Sequence, residues 1–373
     1  MDVNELAQIL GADFYTGVPD SQLRALCDYL MDKYGIDSNH HVIAANEGNC
    51  VGLAAGYYLA TGKVPVVYLQ NSGEGNIINP LASLISRDVY AIPCVFIIGW
   101  RGEPGVHDEP QHVCQGKVTN ALLETMGVPY MVLGKDTTSE ELCRWFGENR
   151  SVLEQGGQIA FVIRKGVLEY SGNTKYTNDS VMTREEVLRR IVEFSGSDPI
   201  VSTTGKTSRE LFEIRESRGE DHSFDFLTVG SMGHSSSIAA GIAANIKGRR
   251  VWCIDGDGAV FMHMGSMAVI GSMGLRNFVH VVLNNRAHES VGGMPTVSGN
   301  VDFPMIAKAC GYRHVAKADS FEKLDSALSE IQGFDGPYFL EIDVSIGSRP
   351  DLGRPTTTPV QNRDAFMKSL KTL

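Results

Sequence analysis

The sequence predicts an α/β protein built from two doubly wound parallel-sheet domains. Strand-like and helix-like segments alternate in each half of the chain, and a polar segment separates the halves. The length of 373 residues exceeds what one ordinary core accommodates, and 40 glycines suit the tight turns of such folds. We therefore expect a first domain over residues 1–168, a linker over 169–182 and a second domain over 183–373.

In the first half, apolar runs predict five strands. They are Asp13–Val18, His41–Ala45, Val64–Gln70, Cys94–Trp100 and Gln158–Arg164. Helices are expected over Glu47–Ala60, ended by Gly62, and over Glu140–Glu148, opened by Ser139. This alternation is typical of a parallel sheet covered by helices on both faces.

A polar linker follows the first half, and strands and helices alternate again in the second half. Residues 169–180 are polar and carry a Ser-Gly-Asn turn signal, and Thr183 is expected to open a helix with a capping box. The predicted strands are Ile200–Thr204, Phe226–Val229, Val251–Asp255, Val279–Leu283, His314–Ala318 and Tyr338–Val344. The predicted helices are Ser208–Arg215, Ser235–Ala244, Phe261–Met273, Pro304–Ala309 and Phe321–Glu330, with a short terminal helix.

Composition narrows the possible functions. The net charge is −11 with no basic run, which argues against nucleic acid but still allows an anionic small substrate. No apolar run approaches the ~18 residues of a membrane span. Seven cysteines form no Cys-x-x-Cys pair, and residues such as Cys94 and Cys253 lie in apolar segments, as buried thiols of a reducing compartment do. The acidic N-terminus lacks a signal-peptide core, so a cytoplasmic location is expected.

The most informative motif is Gly256-Asp257-Gly258, which follows one predicted strand, while Asn284-Asn285 ends the next. In a parallel sheet both strand ends lie at the same edge, so a carboxylate and an amide converge there. Such oxygen ligands suit Mg²⁺ together with substrate phosphates, and the glycines allow close approach of a diphosphate. A lone Gly-Asp-Gly is more typical of a surface turn, but the Asn-Asn pair favours a metal site.

Three further segments have both a structural and a functional interpretation. Glu47 opens a helix, where a carboxylate is a common structural feature. The segment Thr203–Ser208 lies between a strand and a helix and could form an anion site; it lacks the first glycine of a P-loop. Asp20 is either a catalytic acid or the N-cap of a helix that begins at Ser21.

Several motifs together resemble the phosphonopyruvate decarboxylases, a family of thiamine diphosphate-dependent enzymes close to the sulfopyruvate decarboxylases. They are Gly17–Ser21, Ala45–Gly48, Gln70–Gly73, Asn76–Pro80, Gly99–His112 and Asn284–Gly293. The resemblance spans nearly the whole chain. It implies a pyrimidine-binding thiamine diphosphate domain over 1–168 and a diphosphate- and Mg²⁺-binding domain over 183–373. One departure is Glu74, where many relatives are expected to have an aliphatic residue.

The resemblance also implies roles for individual residues. Glu47 would hydrogen-bond the pyrimidine ring and promote its imino tautomer, Met232 would wedge between the two cofactor rings, and Asp20 would serve as an acid near the substrate. The remaining cofactor contacts would be Thr204, Gly230, Gly256, Asp257, Gly258, Ala259 and Asn285, with Asp257, Asn285 and the Ala287 carbonyl as Mg²⁺ ligands. The candidates for binding the substrate are Ser72, Asn76, Arg101, His107, His112 and His288, and Lys117 and Arg286 are further possible cations. Arg101, His107, His112 and Lys117 are expected to lie on one glycine-rich loop after a strand.

The implied reaction converts 3-phosphonopyruvate to 2-phosphonoacetaldehyde and CO₂, a step of phosphonate (2-aminoethylphosphonate-type) biosynthesis. A homo-oligomer, at least a dimer, is expected to form the site. The alternatives are a decarboxylase of sulfopyruvate or another 2-keto acid, an NAD(P)-dependent dehydrogenase, and a non-catalytic binding module. The dehydrogenase would need a Gly-x-Gly-x-x-Gly segment after a strand, which neither glycine-containing candidate segment supplies.

Overall fold

The computed structural model describes residues 1–371, which form two compact units, one over Met1–Lys175 and the other beginning at Tyr176. The division falls inside the segment 169–182, to which the sequence assigns a linker. That the two halves bind different parts of one cofactor stays a prediction. No helix within the described residues has both the length and the apolar character needed to cross a membrane.

The first unit contains a six-stranded, all-parallel sheet in the order β2-β1-β3-β4-β6-β5. Its strands are β1 Tyr15–Gly17, β2 His41–Ile43, β3 Val66–Gln70, β4 Cys94–Gly99, β5 Tyr130–Leu133 and β6 Gln158–Ile163. Its helices are α1 Val3–Leu10, α2 Arg24–Tyr34, α3 Glu47–Thr61, α4 Glu74–Pro80, α5 Pro110–Thr125, α6 Ser139–Glu148 and α7 Arg150–Glu154. Every residue of β4 and β6 is buried, as in a sheet covered on both faces.

The second unit contains another six-stranded parallel sheet, in the order β13-β14-β10-β9-β7-β8. Its strands are β7 Ile200–Ser202, β8 Asp225–Leu227, β9 Val251–Gly256, β10 Phe278–Asn284, β13 His314–Ala318 and β14 Tyr338–Asp343, and β11 Ala287–His288 pairs with β12 Met294–Pro295. Its helices are α8 Arg184–Ser195, α9 Lys206–Ser217, α10 Ser235–Asn245, α11 Asp257–Met262, α12 Gly265–Met273, α13 Phe303–Ala309, α14 Phe321–Gly333 and α15 Pro359–Lys371.

Alternate residues of the second sheet enter two separate apolar cores. Trp252 and Ile254 pack into one core, whereas Val251 and Cys253 pack into the other. Both faces of the sheet are therefore covered, and the predicted α/β fold class with two parallel sheets is confirmed.

Several helix ends agree with the sequence. Gly62 and Gly274 adopt left-handed conformations with φ of 71° and 60°, where the absence of a Cβ relieves the strain. Thr183 forms the expected capping box: its side chain accepts from the Glu186 amide, and the Glu186 carboxylate accepts from the Thr183 amide.

Other predicted elements need correction. The expected helix over 261–273 is two helices, because His263 leaves the helical conformation at φ −136° and ψ 45°. The cap of α6 is Thr138 rather than Ser139, since Glu141 completes a capping box with Thr138. Strand β5 was missed. Its residues are mostly only half-buried at the edge of the sheet, and they lack the strong apolar signal of the inner strands.

Candidate functional site

In the first unit, polar loops meet where the order of the sheet reverses. Strand β1 lies between β2 and β3, so the loops after β1 and β3 flank the position where open α/β sheets bind ligands. Asp20, in the loop after β1, is fully buried and accepts hydrogen bonds from Gln70 Nε2 at 2.6 Å and from the Gln22 amide at 3.2 Å. Burial raises the pKa of Asp20.

The N-cap interpretation of Asp20 is wrong. Helix α2 begins at Arg24 with Leu23 as its cap, and residues 21–23 form a turn instead of the expected first helical turn. The Asp20 carboxyl packs tightly against the end of β4, because a Cβ on Gly99 would lie 2.1 Å from Asp20 Oδ2. Asp20 is therefore enclosed by the ends of β3 and β4.

Glu47 lies at the first position of α3, after the N-cap Asn46. Its side chain is buried, and Oε2 accepts a hydrogen bond from Asn76 Nδ2 at 2.6 Å. Burial raises the pKa of Glu47, and the bond from Asn76 opposes this effect. The carboxyl packs against Gly73, where an added Cβ would lie 2.4 Å from it. A buried carboxyl with a raised pKa is suited to acid–base catalysis.

The sequence suggested that the candidate cations of the first unit share one loop, but the structure places them on a loop and a helix. Helix α5 begins at Pro110, so His112 and Lys117 lie on the helix, and Arg101 and His107 precede it. Proline at the first helical position starts the helix early. Arg101 is paired with Asp108 at 2.5 Å, and its charge holds the pKa of Asp108 well below its usual value against the effect of burial.

The other substrate candidates of this unit differ in exposure. His107 and Ser72 are exposed, and Ser72 Oγ donates to Gln70 Oε1 at 2.7 Å. His112 is buried, and burial together with the neighbouring Arg101 lowers its pKa. Ser72 is therefore connected through Gln70 to Asp20, whereas Asn76 is connected to Glu47.

Glu74 does not add a solvated negative charge to this region. It is 2% exposed, and neither carboxyl oxygen has a hydrogen-bond partner within the described residues. Burial raises the pKa of Glu74 to about 8. The side chain is thus neutral at neutral pH and occupies the position expected for an aliphatic residue.

In the second unit, the order of the sheet reverses at β7, which lies between β8 and β9. The neighbouring strands β9 and β10 are in register, with Gly256 opposite Leu283, so Asp257 and Asn285 follow adjacent strand ends. Asp257 is buried, and its Oδ2 accepts from Ser298 Oγ at 2.9 Å and from Thr296 Oγ1. Burial raises the pKa of Asp257 to about 6.

The two adjacent asparagines have different environments. Asn284 Nδ2 donates to Glu341 Oε1 at 2.7 Å, and its Oδ1 accepts from Ser298 Oγ at 2.9 Å. Asn285 instead donates from Nδ2 to Glu289 Oε2 at 2.8 Å, and its Oδ1 accepts from the Ala287 amide at 3.0 Å. Arg286, between Asn285 and Ala287, adopts a positive φ of 60°. Such backbone strain is frequent at functional sites.

Met232 and His288 converge on the Gly-Asp-Gly turn. A Cβ on Gly258 would lie 3.3 Å from Met232 Cε and 3.5 Å from the His288 ring. Enclosure of the His288 ring lowers its pKa to about 4. Ser231 has φ 55°, a second strained residue in this region, and follows Gly230. Thr204 Oγ1 donates to the Val229 carbonyl at 2.8 Å and so joins the loop after β7 to the segment that carries Met232.

The donors of the second unit fit a divalent cation bound together with a diphosphate. Asp257 is a buried carboxylate whose described partners are hydroxyl groups, so a cation would compensate its charge. The set of oxygen donors at Asp257, Asn285 and Ala287 has the chemistry that Mg²⁺ prefers. A Cβ on Gly256 would meet no atom of the described chain within 4 Å, and Ala259 follows in the first turn of α11.

Several residues of these sites were not found from the sequence. Thr296 and Ser298 hold Asp257 from 39 and 41 residues further along the chain, and Glu289 holds Asn285. Gln70 was part of a quoted motif but had no assigned role. Thr296 and Ser298 carry no recognisable spacing signal, because isolated hydroxyl residues are common in loops.

Both halves of the chain match families of thiamine pyrophosphate enzymes. Residues 3–126 match the family described as thiamine pyrophosphate enzyme, N-terminal TPP binding domain. Residues 203–342 match the corresponding C-terminal TPP binding domain. The N-terminal match includes Glu47, and the C-terminal match includes Asp257.

Three curated proteins are similar over most of the chain. A phosphonopyruvate decarboxylase of Streptomyces viridochromogenes is 34% identical over 94% of this chain and 90% of its own length. A phosphonopyruvate decarboxylase of Streptomyces hygroscopicus is 35% identical over 94% of this chain and 88% of its own length. A sulfopyruvate decarboxylase of Methanosarcina acetivorans is 26% identical over 93% of this chain and 91% of its own length.

Proposed function

The chain belongs to the phosphonopyruvate decarboxylase family of thiamine diphosphate-dependent enzymes, and we propose that its substrate is 3-phosphonopyruvate. The products would be 2-phosphonoacetaldehyde and CO₂, as in phosphonate biosynthesis. The observation that carries this proposal is the buried Asp257 beside Asn285 at the edge of the second sheet. It is supported by the buried Glu47 carboxyl in the first unit.

We assign to the residues the roles that the family resemblance implies, and their environments support these assignments. Asp257, Asn285 and the Ala287 carbonyl would hold Mg²⁺, and Gly256, Gly258, Ala259 and Thr204 would line the diphosphate. When bound, thiamine diphosphate supplies the nucleophilic carbon and the electron sink that decarboxylation requires. The protein would then provide orientation and proton transfer.

Proton transfer is assigned to two of the buried carboxyl groups of the first unit, Glu47 and Asp20. Glu47 would exchange a proton with the pyrimidine ring, because its pKa is raised and Asn76 fixes its position. Met232 would contact the cofactor and shape its conformation, with the carbonyl of Gly230 as an acceptor beside it. Asp20 would act on the substrate, since burial keeps its carboxyl able to carry a proton.

Binding of the phosphonate requires cations or oriented donors. His288 is the best-placed candidate in the second unit, because its ring lies beside Gly258 and Met232. Arg101 Nη1 donates to Ser21 Oγ at 3.3 Å, and Nε and Nη2 donate to Asp108. Because these donors are already engaged, Arg101 would act on the phosphonate mainly through its charge. Ser72, in the turn after β3, and Asn76, in helix α4, would donate hydrogen bonds.

The test is CO₂ release by purified enzyme that has been chelated and dialysed. Activity on phosphonopyruvate should be lost and should return with thiamine diphosphate plus Mg²⁺, but not with either alone. Full activity in a rigorously cofactor-free sample contradicts the proposal. Sulfopyruvate and pyruvate serve as competing substrates, and faster turnover of sulfopyruvate would favour the alternative suggested by the relative from Methanosarcina.

We further infer a homo-oligomer of at least two subunits and a cytoplasmic location. Glu47 and Asp257 belong to different compact units, and the family resemblance implies that one site combines domains of two subunits. Mixing Glu47→Ala with Asp257→Ala subunits should then restore part of the activity, because one interface of the hybrid joins two intact halves. Absence of rescue despite proven subunit exchange contradicts this assembly.

A further inference from the structure

We propose that Glu289 is a positioning residue that orients Asn285 toward the divalent cation and connects the metal-binding loop to the loop after β7. This inference rests on the proposed function, because it assumes that Asn285 binds the metal. Glu289 begins the turn after β11 and was not assigned a role from the sequence.

The first step of the argument is the orientation of the Asn285 amide. Its Nδ2 donates to Glu289 Oε2 at 2.8 Å. Both oxygens of Glu289 already accept hydrogen bonds, from Arg184 and Lys206, so the amide nitrogen of Asn285 faces Glu289 and the amide oxygen faces away from it. Glu289 holds the amide nitrogen, while the Ala287 amide donates to the oxygen at 3.0 Å, so the oxygen, with its second lone pair, is the atom left for Mg²⁺.

The second step is the rigidity of Glu289 itself. Arg184 Nη1 donates to Glu289 Oε2 at 2.8 Å, and Lys206 Nζ donates to Glu289 Oε1 at 2.8 Å. Arg184 also forms two bonds of 2.7 Å with Glu210, which is 1% exposed. Two cations and two carboxylates thus form a compensated, largely buried network.

The third step is the position of the network in the sheet. Lys206 is the first residue of α9, directly after the loop that contains Thr204, whereas Asn285 follows β10. Glu289 contacts both segments through its two carboxylate oxygens. A single side chain therefore links the two loops. Such outer-shell partners of metal ligands typically contribute 10–100-fold to metal affinity.

The test compares Glu289→Ala with Glu210→Ala in the full-length protein. Both variants remove one carboxylate from Arg184, but only Glu289 contacts Asn285. The measurement is the Mg²⁺ concentration that half-saturates thiamine diphosphate binding, obtained by calorimetry, with thermal unfolding recorded in parallel. Glu289→Ala should raise this concentration by about 10–100-fold, and Glu210→Ala should raise it much less. Equal effects of the two variants, or no effect of Glu289→Ala, would overturn the inference.

Two further variants keep the test decisive. Glu289→Gln retains an oxygen acceptor for Asn285, so its affinity should lie between those of wild type and Glu289→Ala, and it replaces the alanine variant if that protein does not fold. In an Asn285→Ala background, Glu289→Ala should add little, because the residue acts through Asn285; an additive effect overturns the inference.

If wild-type enzyme binds thiamine diphosphate without any Mg²⁺ requirement, the proposed function fails as well, whereas an unaffected Glu289→Ala variant refutes only the positioning role.

Discussion

Replacing Gly73 by alanine is expected to impair catalysis by displacing Glu47. The backbone of Gly73 has φ −82° and ψ −6°, which alanine adopts without strain, so the substitution acts through its Cβ alone. That Cβ would lie 2.4 Å from Cγ, Cδ and Oε1 of Glu47, whereas ordinary contacts begin at 3.4 Å. The Glu47 side chain must therefore move by roughly 1 Å.

The displacement has a cost that can be estimated. Movement of Glu47 lengthens or breaks its 2.6 Å hydrogen bond from Asn76 and takes the carboxyl away from its position for proton transfer. A misplacement of about 1 Å can lower the rate on the order of 10²-fold. This corresponds to about 2.7 kcal/mol in the activation free energy.

The assay is hydrogen–deuterium exchange at C2 of bound thiamine diphosphate, together with CO₂ release under saturating substrate. Gly75→Ala is the matched control, because it lies two residues away in α4 and its Cβ would meet no atom of the described chain within 4 Å. The control should retain wild-type rates. A folded Gly73→Ala enzyme with the same exchange rate as Gly75→Ala would refute the reasoning.

Three other predictions concern Glu47, Gly116 and Glu74. Glu47→Gln should retain the cofactor but slow C2 exchange by about 10²–10⁴-fold, since the amide cannot share a proton; unchanged exchange contradicts the role. Gly116→Ala should lower the melting temperature, because its Cβ would lie 1.7 Å from the Gly102 carbonyl oxygen, whereas Gly147→Ala, with open space around it, should not; similar melting curves would contradict this. Glu74→Gln should stabilise the protein by roughly 3 kcal/mol at pH 7. The folded pKa of Glu74 is raised to about 8, so the stability of the wild type falls as pH rises from about 4.5 to 8. Denaturant unfolding at pH 4.5 and 7 tests this, and a pH-independent difference between the two proteins contradicts it.

The sequence by itself determined the two parallel sheets and the convergence of Asp257 and Asn285 at one sheet edge. Strand and helix periodicities are local signals, and parallel pairing places the carboxyl ends of neighbouring strands together whatever the remaining structure. For this reason Asp257 and Asn285 could be expected at one edge before the register of Gly256 and Leu283 was known. Glu47 was likewise located by the strand end before it and the helix after it.

The tertiary structure decided how these residues are held and which protonation states they favour. Thr296 and Ser298 reach Asp257 across about forty residues of chain, and Arg184 reaches Glu289 across 105 residues. No local pattern specifies such contacts, because they depend on how the loops pack over the sheet. The same holds for Glu74: its sequence position suggests a charged side chain, but enclosure by the folded chain raises its pKa to about 8 and keeps it neutral.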